Sequence, residues 1–205
     1  MNAEKVVERR QDKAPEQQAV TIPAIQTEIF KLNIKGTSPL ICHRFSTKAK
    51  EMMLTPKERR VTSTKRAPRN PQELFQDSLY PVPGKKNTYG FPASGFKKAA
   101  VSACRQLDTI PMTFVRGAFF VLGDLVEIDG KPSIREDIVR LNGKVADVRY
   151  RAEFKEWSAV LSIRYNKGSI SKEQIINLIN MAGFAVGVGE WRPEKNGSFG
   201  MFEVG

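Results

Sequence analysis

Apolar and polar residues alternate from residue 28 to residue 35, and this alternation predicts the first β-strand of the chain. Phe30, Leu32 and Ile34 point to one side, and Lys31 and Asn33 point to the other. A period of two residues is typical of a strand that buries one face and exposes the other. We therefore expect the folded part of the chain to begin with this strand.

Helix-start signals and helical spacing predict three helices. They run from Pro71, with Asn70 as the N-cap, to about Leu79; from 95 to 107, with Ser94 as the N-cap; and from the capping box of Ser171 and Gln174 to a stop at Gly183. In the second helix, the residues at helical spacing on the predicted buried face are Phe96, Ala100, Ala103 and Leu107.

Further apolar segments predict strands at 112–122, 125–128 and 184–188. Residues 147–155 and 157–165 alternate so regularly that we expect them to pair as a β-hairpin. The resulting order of strands and helices predicts an α+β fold, a ferredoxin-like (RRM-like) βαββαβ core with a long basic insertion and an added hairpin. Such a fold does not by itself identify a function.

The chain divides into an N-terminal arm and one domain. Residues 1–24 are polar with balanced charge, and we expect a disordered or loosely docked arm. Residues 25–205 form the predicted domain. Within it, residues 46–70 are basic and offer little to bury, so we expect a mobile insertion that lies outside the core.

Composition excludes several classes of cofactor and disfavours a membrane location. With two cysteines and one histidine, His43, the chain has neither a disulfide framework nor enough ligands for a thiolate or Cys/His zinc site. Glu136, Asp137 and Asp147 lie beside arginines, which favours ion pairs over a metal cluster. The sequence has no run of 18 apolar residues, and its first 20 residues are charged throughout without an apolar stretch, which argues against a secretory signal. We therefore expect a cytoplasmic protein without a metal or other cofactor.

The positive charge is concentrated in one segment. The chain carries a formal net charge of +11, and residues 44–105 alone contain fourteen bases and four acids. A local excess of this size is typical of a protein that binds a polyanion such as nucleic acid. The alternative is a solubilising surface without a specific partner. A membrane surface is disfavoured because the segment lacks the apolar face of an interfacial helix.

A glycine-rich segment near the end of the sequence offers a second candidate interface. It places Trp191, Arg192, Lys195 and Phe199 among four glycines, Gly187, Gly189, Gly197 and Gly200. Glycines let a backbone approach a phosphate closely, and the two aromatic rings could stack on bases. The alternative is a glycine-rich turn with Trp191 and Phe199 in the core. The spacing matches neither a Walker A loop nor a dinucleotide fingerprint.

Together with residues 91–97, this segment resembles the RAMP superfamily of CRISPR RNA-binding subunits. Pro92, Ser94 and Lys97 fall on the proline, serine and lysine of the family's helix-opening motif. The chain departs from the motif at Lys98, where the family has glycine, and at Val101, where it has arginine. The resemblance implies a ferredoxin-like core closed by a glycine-rich loop, in a stand-alone phage-encoded relative. It also implies that the loop lies against the helix, where Arg105 could replace the missing arginine.

The resemblance does not extend to nuclease activity. The RNA-cleaving members of the family use an aspartate in the loop after the first strand, and residues 36–44 contain no acid. His43 is the only imidazole, and a lone histidine beside Arg44 is more often a phosphate contact than a catalyst. We therefore expect no catalytic residue.

The predicted function is non-catalytic binding of single-stranded RNA or DNA by a homo-oligomer that coats the strand, as CRISPR backbone subunits do. The expected contacts are His43, Arg44, Lys57, Arg59, Arg60, Lys65, Arg66, Ser94, Lys97, Lys98, Arg105, Trp191, Arg192 and Lys195, with the loop glycines Gly187, Gly189, Gly197 and Gly200.

Two alternatives remain open. One is a phage protein that binds or inhibits a host CRISPR or other complex by mimicking a backbone subunit, and the other is a metal-independent endoribonuclease. The basic stripe of Arg149, Arg151, Lys155 and Arg164 is interpreted as a mixed surface or a subunit contact.

Overall fold

The computed structural model describes residues 23–45, 47–54, 70–107, 109–141 and 145–205. The strands are β1 (Thr27–Gly36), β2 (Leu40–Cys42), β3 (Tyr80–Pro81), β4 (Tyr89–Pro92), β5 (Phe119–Val121), β6 (Leu125–Asp129), β7 (Pro132–Leu141), β8 (Val145–Phe154), β9 (Ser158–Asn166) and β10 (Phe202–Val204). The α-helices are α1 (Thr47–Leu54), α2 (Pro71–Ser78), α3 (Ala93–Ala103), α4 (Met112–Ala118) and α5 (Lys172–Ala185). The fold is thus α+β, as the sequence predicts.

Seven strands form the main sheet, in which neighbouring strands are antiparallel. Their order is β10-β1-β9-β6-β4-β3, and β5 pairs with β9 in addition. The predicted first strand is confirmed as β1, where Leu32 and Ile34 are buried and Lys31 and Asn33 are exposed. β1 pairs with β9 over nine residues, from Thr27 opposite Asn166 to Lys35 opposite Ser158. One face of these central strands therefore enters the core.

The second sheet has three strands in the order β2-β8-β7. β7 and β8 form a long antiparallel hairpin, and β8 also pairs with β2. The predicted pairing of 147–155 with 157–165 is therefore wrong, because β8 and β9 lie in different sheets. Alternation identifies a half-buried strand but does not identify its partner.

The core lies between the main sheet and helices α3 and α5, which contact each other. Its largest fully buried side chains are Phe96, Phe119, Phe154, Phe202, Ile34, Leu40, Ile41, Leu79, Leu161, Ile163, Ile175 and Ile179. The predicted buried face of the second helix is confirmed at Phe96, Ala100 and Ala103, and Leu107 is half-buried.

Two of the three predicted helix starts are confirmed. The Asn70 side chain accepts hydrogen bonds from the backbone of Gln72 and Glu73, and Ser171 forms the expected capping box with Gln174. Ser94 is not an N-cap, because α3 already begins at Ala93. The cap residue there is Pro92, which makes no side-chain capping bond.

Two predicted strands are wrong, at least in part. Residues 112–118 form helix α4, and only 119–121 of that segment are extended. The side chains of Val115 and Ala118 are buried at helical spacing, so packing overrides the β-propensity of the segment. The strand predicted at 184–188 is also absent, because α5 continues past Gly183 to residue 185.

Parts of the predicted arm and insertion lie outside the described residues. These are residues 1–22, 46 and 55–69, and they include the candidate contacts Lys57, Arg59, Arg60, Lys65 and Arg66. Within the insertion, residues 47–54 form α1. In the part of the chain that the structure describes, no helix is long and apolar enough to span a membrane.

Candidate nucleic-acid interface

The glycine-rich loop, residues 187–200, is closed by its own backbone. The N–H of Val188 donates to the carbonyl oxygen of Gly200 at 2.9 Å. A Cβ atom on Gly200 would lie 1.7 Å from the Val188 oxygen, and a Cβ atom on Gly197 would lie 1.7 Å from the Trp191 oxygen. Gly187 and Gly200 also have positive φ angles, 67° and 66°. These glycines therefore permit close backbone contacts that give the loop a fixed shape.

The loop is attached to the end of β2. The N–H of Glu190 donates to Ile41 O at 3.0 Å, and the N–H of Gly200 donates to Pro39 O at 2.7 Å. Gly189 also lies against β2, since a Cβ atom there would be 2.5 Å from Ile41 O. These bonds place the loop beside the segment that carries His43 and Arg44.

A cleft of about 210 Å³ separates this loop from α3. Lys98 lines it from α3, Arg192 lines it from the loop, and His43 lines it from the segment after β2. The structure therefore places the two predicted segments side by side. The other lining residues are Tyr80, Phe91, Gly95, Ala99, Ser102, Val188, Gly189, Glu190 and Glu194. We call this space the loop cleft.

Glu194 holds two of the predicted basic contacts in ion pairs. Arg192 donates to Glu194 Oε2 at 2.8 Å from Nη2 and to Gly189 O at 3.0 Å from Nη1. Arg105 Nη1 lies 3.6 Å from Glu194 Oε1. Burial opposes the ionisation of Glu194, but hydrogen bonds from Arg192 and Ser102 outweigh it and lower its pKa. Arg192 thus stabilises the loop, whereas Lys98 has no carboxylate partner among the described residues.

Lys97 points to a different neighbour. Its ammonium group donates to the backbone oxygens of Val115 and Phe119 at the end of α4, and it lies over the Phe119 ring. Burial lowers the pKa of Lys97 to about 8. The structure therefore places this side chain in a helix-capping contact outside the loop cleft.

The two aromatic residues of the loop have different environments. Trp191 is 41% exposed and has a left-handed backbone, with φ at 54°. Its two neighbours in the chain, Glu190 and Arg192, line the loop cleft, whereas Trp191 itself is not a lining residue. The ring of Phe199 is half-buried under Arg135, whose Cζ lies 4.5 Å from its centre. The alternative with both rings in the core is therefore wrong for Trp191, the ring that is accessible for stacking.

The remaining predicted contacts lie at the margins. Ser94 is exposed in the first turn of α3, and Lys195 is exposed at the end of a short 3-10 turn, Pro193–Lys195. Neither lines the loop cleft.

His43 is held near one carboxylate. Its Nδ1 lies 3.8 Å from Glu190 Oε1. Burial and the positive charges of Arg151 and Arg149 lower the pKa of His43, with partial opposition from Glu190. The imidazole is therefore mostly neutral at pH 7, and it can donate or accept one hydrogen bond in the cleft. Among the described residues there is no group of three potential metal ligands.

A second cleft, of about 370 Å³, lies on the other side of His43. It is bounded by residues 43–45, α2 and β8, and we call it the arginine cleft. Its lining residues are His43, Arg44, Phe45, Leu74, Asp77, Ser78, Asp147, Val148, Arg149, Tyr150 and Arg151. His43 lines both clefts, so the two adjoin.

Sequence reasoning missed three residues of the arginine cleft as binding candidates: Phe45, Arg149 and Arg151. The alternation of residues in the sequence predicts that both arginines lie on one face of a strand, and this was the signal that could have identified them as binding candidates. That face is turned inward, because Arg151 is only 4% exposed and pairs with Asp137 at 3.2 Å. The expected ion pairs of the neighbouring acids are therefore confirmed for Asp137, and Arg149 lies 3.6 Å from Asp147.

Two solved structures are similar to this chain to different degrees. The chain matches a chain of the type III-B Cmr-beta complex bound to cognate target RNA, with a TM-score of 0.50 and 10% identity, over 87% of this chain and 59% of that one. It also matches Cmr6 from Pyrococcus furiosus, with a TM-score of 0.42 and 10% identity, over 89% of this chain and 100% of that one. The present chain thus spans 59% of the first neighbour's length. The first match shows that the two chains share a fold.

No family model and no curated protein matches the sequence.

Proposed function

We propose that this protein binds single-stranded nucleic acid, and RNA in the first place, in the loop cleft. The observation that carries the proposal is the position of Trp191. An exposed indole is held on a hydrogen-bonded loop, and its two neighbours in the chain line a cleft whose opposite wall carries the exposed Lys98. Proteins commonly combine aromatic platforms with unpaired cations to hold a strand without reading its sequence.

In this mechanism the loop binds a nucleobase and the opposite wall of the cleft binds a phosphate. A base stacks on Trp191, while the phosphate that follows is neutralised by Lys98. The lysines and arginines of the insertion, residues 46–70, add further phosphate contacts along the strand. Arg192 acts indirectly, because its bonds to Glu194 and Gly189 hold the loop in the conformation that presents the indole.

The topology supports a ferredoxin-like core. The strands β10-β1-β9-β6 lie in the order that a split βαβ arrangement requires, with α3 joining β1 to β6 and α5 joining β9 to β10. RRM domains bind RNA through aromatic residues on the uncovered face of such a sheet. Here the described positions on that face of β1 and β9 include Lys31, Asn33, Val160 and Ser162. None of these four side chains is aromatic. The exposed ring of Phe120 on β5, which pairs with Arg164 on β9, lies on this face, so the sheet is the alternative surface from which the loop cleft must be distinguished.

The proposal includes the absence of catalysis. A ribonuclease mechanism of the two-histidine type needs a second imidazole, and the sequence has only His43. The loop after β1 also lacks the acid that cleaving RAMP subunits use. Binding without cleavage suits a protein that coats a strand, and we extend the proposal to a homo-oligomer on RNA, either alone in a phage-infected cell or within a CRISPR-type complex. The neighbouring Cmr-beta complex was determined with target RNA, which supports RNA as the first ligand to test.

Copurification tests this function. The full chain is purified at low salt, and the ratio of absorbance at 260 and 280 nm is measured before and after treatment with ribonuclease or deoxyribonuclease. We expect a high ratio that ribonuclease lowers. A protein-like ratio from the start, together with no binding of added RNA or DNA single strands, would contradict the proposal and favour a protein that acts on a host complex by shape.

A further inference from the structure

The arginine cleft contains guanidinium groups with incomplete hydrogen bonding. The Nε atoms of Arg44 and Arg151 are both buried, and neither has an acceptor among the residues that the structure describes. A buried donor without a partner costs about 1–3 kcal/mol. Such groups are rare in folded proteins, and a bound ion can supply the acceptor that they lack.

Among the described arginines around the cleft, one has no carboxylate partner. Arg135 and Arg151 share Asp137, Arg135 also pairs with Glu153, and Arg149 lies beside Asp147. Arg44 has no ion pair with any described residue. Asp77 also lines the cleft and opposes an anion there. The free guanidinium group of Arg44 is therefore the strongest attraction for an incoming anion, with Arg151 beside it.

An exposed aromatic ring adjoins these groups. Phe45 follows Arg44 directly, lines the same cleft and is 63% exposed. An aromatic ring next to a free guanidinium group is the combination that recognises a nucleotide, since the ring stacks on the base and the guanidinium binds the phosphate. At about 370 Å³, the cleft is within the range of small-ligand sites.

We propose that the arginine cleft is a nucleotide subsite, in which Arg44 and Arg151 bind one phosphate group and Phe45 stacks on its base. That this nucleotide belongs to a bound strand rests on the proposed function. That the cleft binds a phosphate group does not. Because His43 lines both clefts, a strand on Trp191 would continue past His43 into this subsite.

Calorimetric titration with uridine 5′-monophosphate, uridine and inorganic phosphate tests the subsite. We expect the monophosphate to bind more tightly than either fragment. Arg44→Gln should weaken its binding at least tenfold, and Phe45→Ala should reduce its affinity to that of inorganic phosphate. Asp77→Asn should tighten binding, an effect that a damaged fold cannot imitate. Arg164→Gln, an exposed arginine on the uncovered face of the main sheet, is the matched control and should change nothing.

The same variants are then titrated with a 20-nucleotide RNA at several salt concentrations. Loss of one phosphate contact in Arg44→Gln should lower the slope of log affinity against log salt by about 0.7. The subsite is overturned if Arg44→Gln behaves like Arg164→Gln in both titrations, or if the wild type binds neither the monophosphate nor phosphate. Failure of the proposed function is a separate result, namely that the wild type does not bind the RNA.

Discussion

The ammonium group of Lys97 lies 3.8 Å from the centre of the Phe119 ring. It also donates hydrogen bonds to the carbonyl oxygens of Val115 and Phe119, which end α4. Its neighbour Lys98 is exposed and lines the loop cleft. Two adjacent lysines therefore have different roles, one in the fold and one in the proposed interface.

The two lysines can be separated by substitution. Lys97→Met should lower the free energy of unfolding by about 1–2 kcal/mol, because the carbonyl oxygens of Val115 and Phe119 lose the side-chain donor that satisfies them. Lys98→Met should change it by less than about 0.5 kcal/mol, as expected for an exposed site. Urea unfolding measures both changes. Lys98→Met should weaken RNA binding more than Lys97→Met does. A larger loss of RNA affinity in Lys97→Met, with its fold intact, would contradict the separate roles of the two lysines.

The lowered pKa of Lys97 predicts a dependence of stability on pH. Its pKa is about 8 in the folded protein, against 10.5 for an ordinary lysine. Below pH 8 both states hold the proton, and between pH 8 and 10.5 only the unfolded state does. The free energy of unfolding of the wild type should therefore rise across this window relative to that of Lys97→Met. A constant difference between the two proteins from pH 7 to 10.5 would show that the pKa is not lowered.

Trp191 should contribute to binding and oppose stability. Trp191→Ala should reduce RNA affinity by about 1–3 kcal/mol, the range for one stacked base. Trp191→Gly should lose the same affinity while keeping or raising the free energy of unfolding, since glycine adopts a φ of 54° without strain. Anisotropy titrations and urea unfolding check the two effects. Unchanged RNA affinity in both variants would remove Trp191 from the interface.

The closed shape of the loop depends on Gly200. Its φ is positive, and a Cβ atom added there would lie 1.7 Å from the Val188 oxygen, so alanine does not fit. Gly200→Ala should lower the free energy of unfolding by about 3 kcal/mol or more. Gly117→Ala in α4 is the matched control. Nothing lies within 4 Å of its Cβ position, so it should stabilise the helix by about 0.5–1 kcal/mol. Thermal unfolding that ranks the two variants the other way would contradict the loop geometry.

Local signals in the sequence were sufficient for β1, α2 and α5, since alternation and capping depend on residues close together in the chain. The partner of β8 was not accessible in this way, because strand pairing is decided by distant residues such as those of β2 and β7. Helix α4 was missed for a related reason. Its buried contacts and the Lys97 cap come from other segments, and they outweigh local propensity.

The candidate site was predicted in outline and altered in detail. The family resemblance placed the glycine-rich loop against the helix that carries Lys98, and the structure shows this arrangement. No sequence pattern indicates that Glu194 engages Arg105 and Arg192, or that Lys97 caps α4. The arginine cleft is likewise a product of packing, because residues 43–45, α2 and β8 are far apart in the chain.

The central claim, that a single strand binds in the loop cleft, is tested most directly by anisotropy with a labelled single-stranded RNA and two matched double variants. Lys98→Gln with Trp191→Ala removes one positive charge from the wall of the loop cleft and one exposed ring from the loop beside it. Arg164→Gln with Phe120→Ala removes the same elements from paired positions of the main sheet, where Phe120 is 46% exposed. We predict that the first variant loses at least tenfold in affinity, about 1.4 kcal/mol, while the second stays within twofold of the wild type. Equal affinities for the two variants, or a larger loss in the second, would contradict binding in the loop cleft.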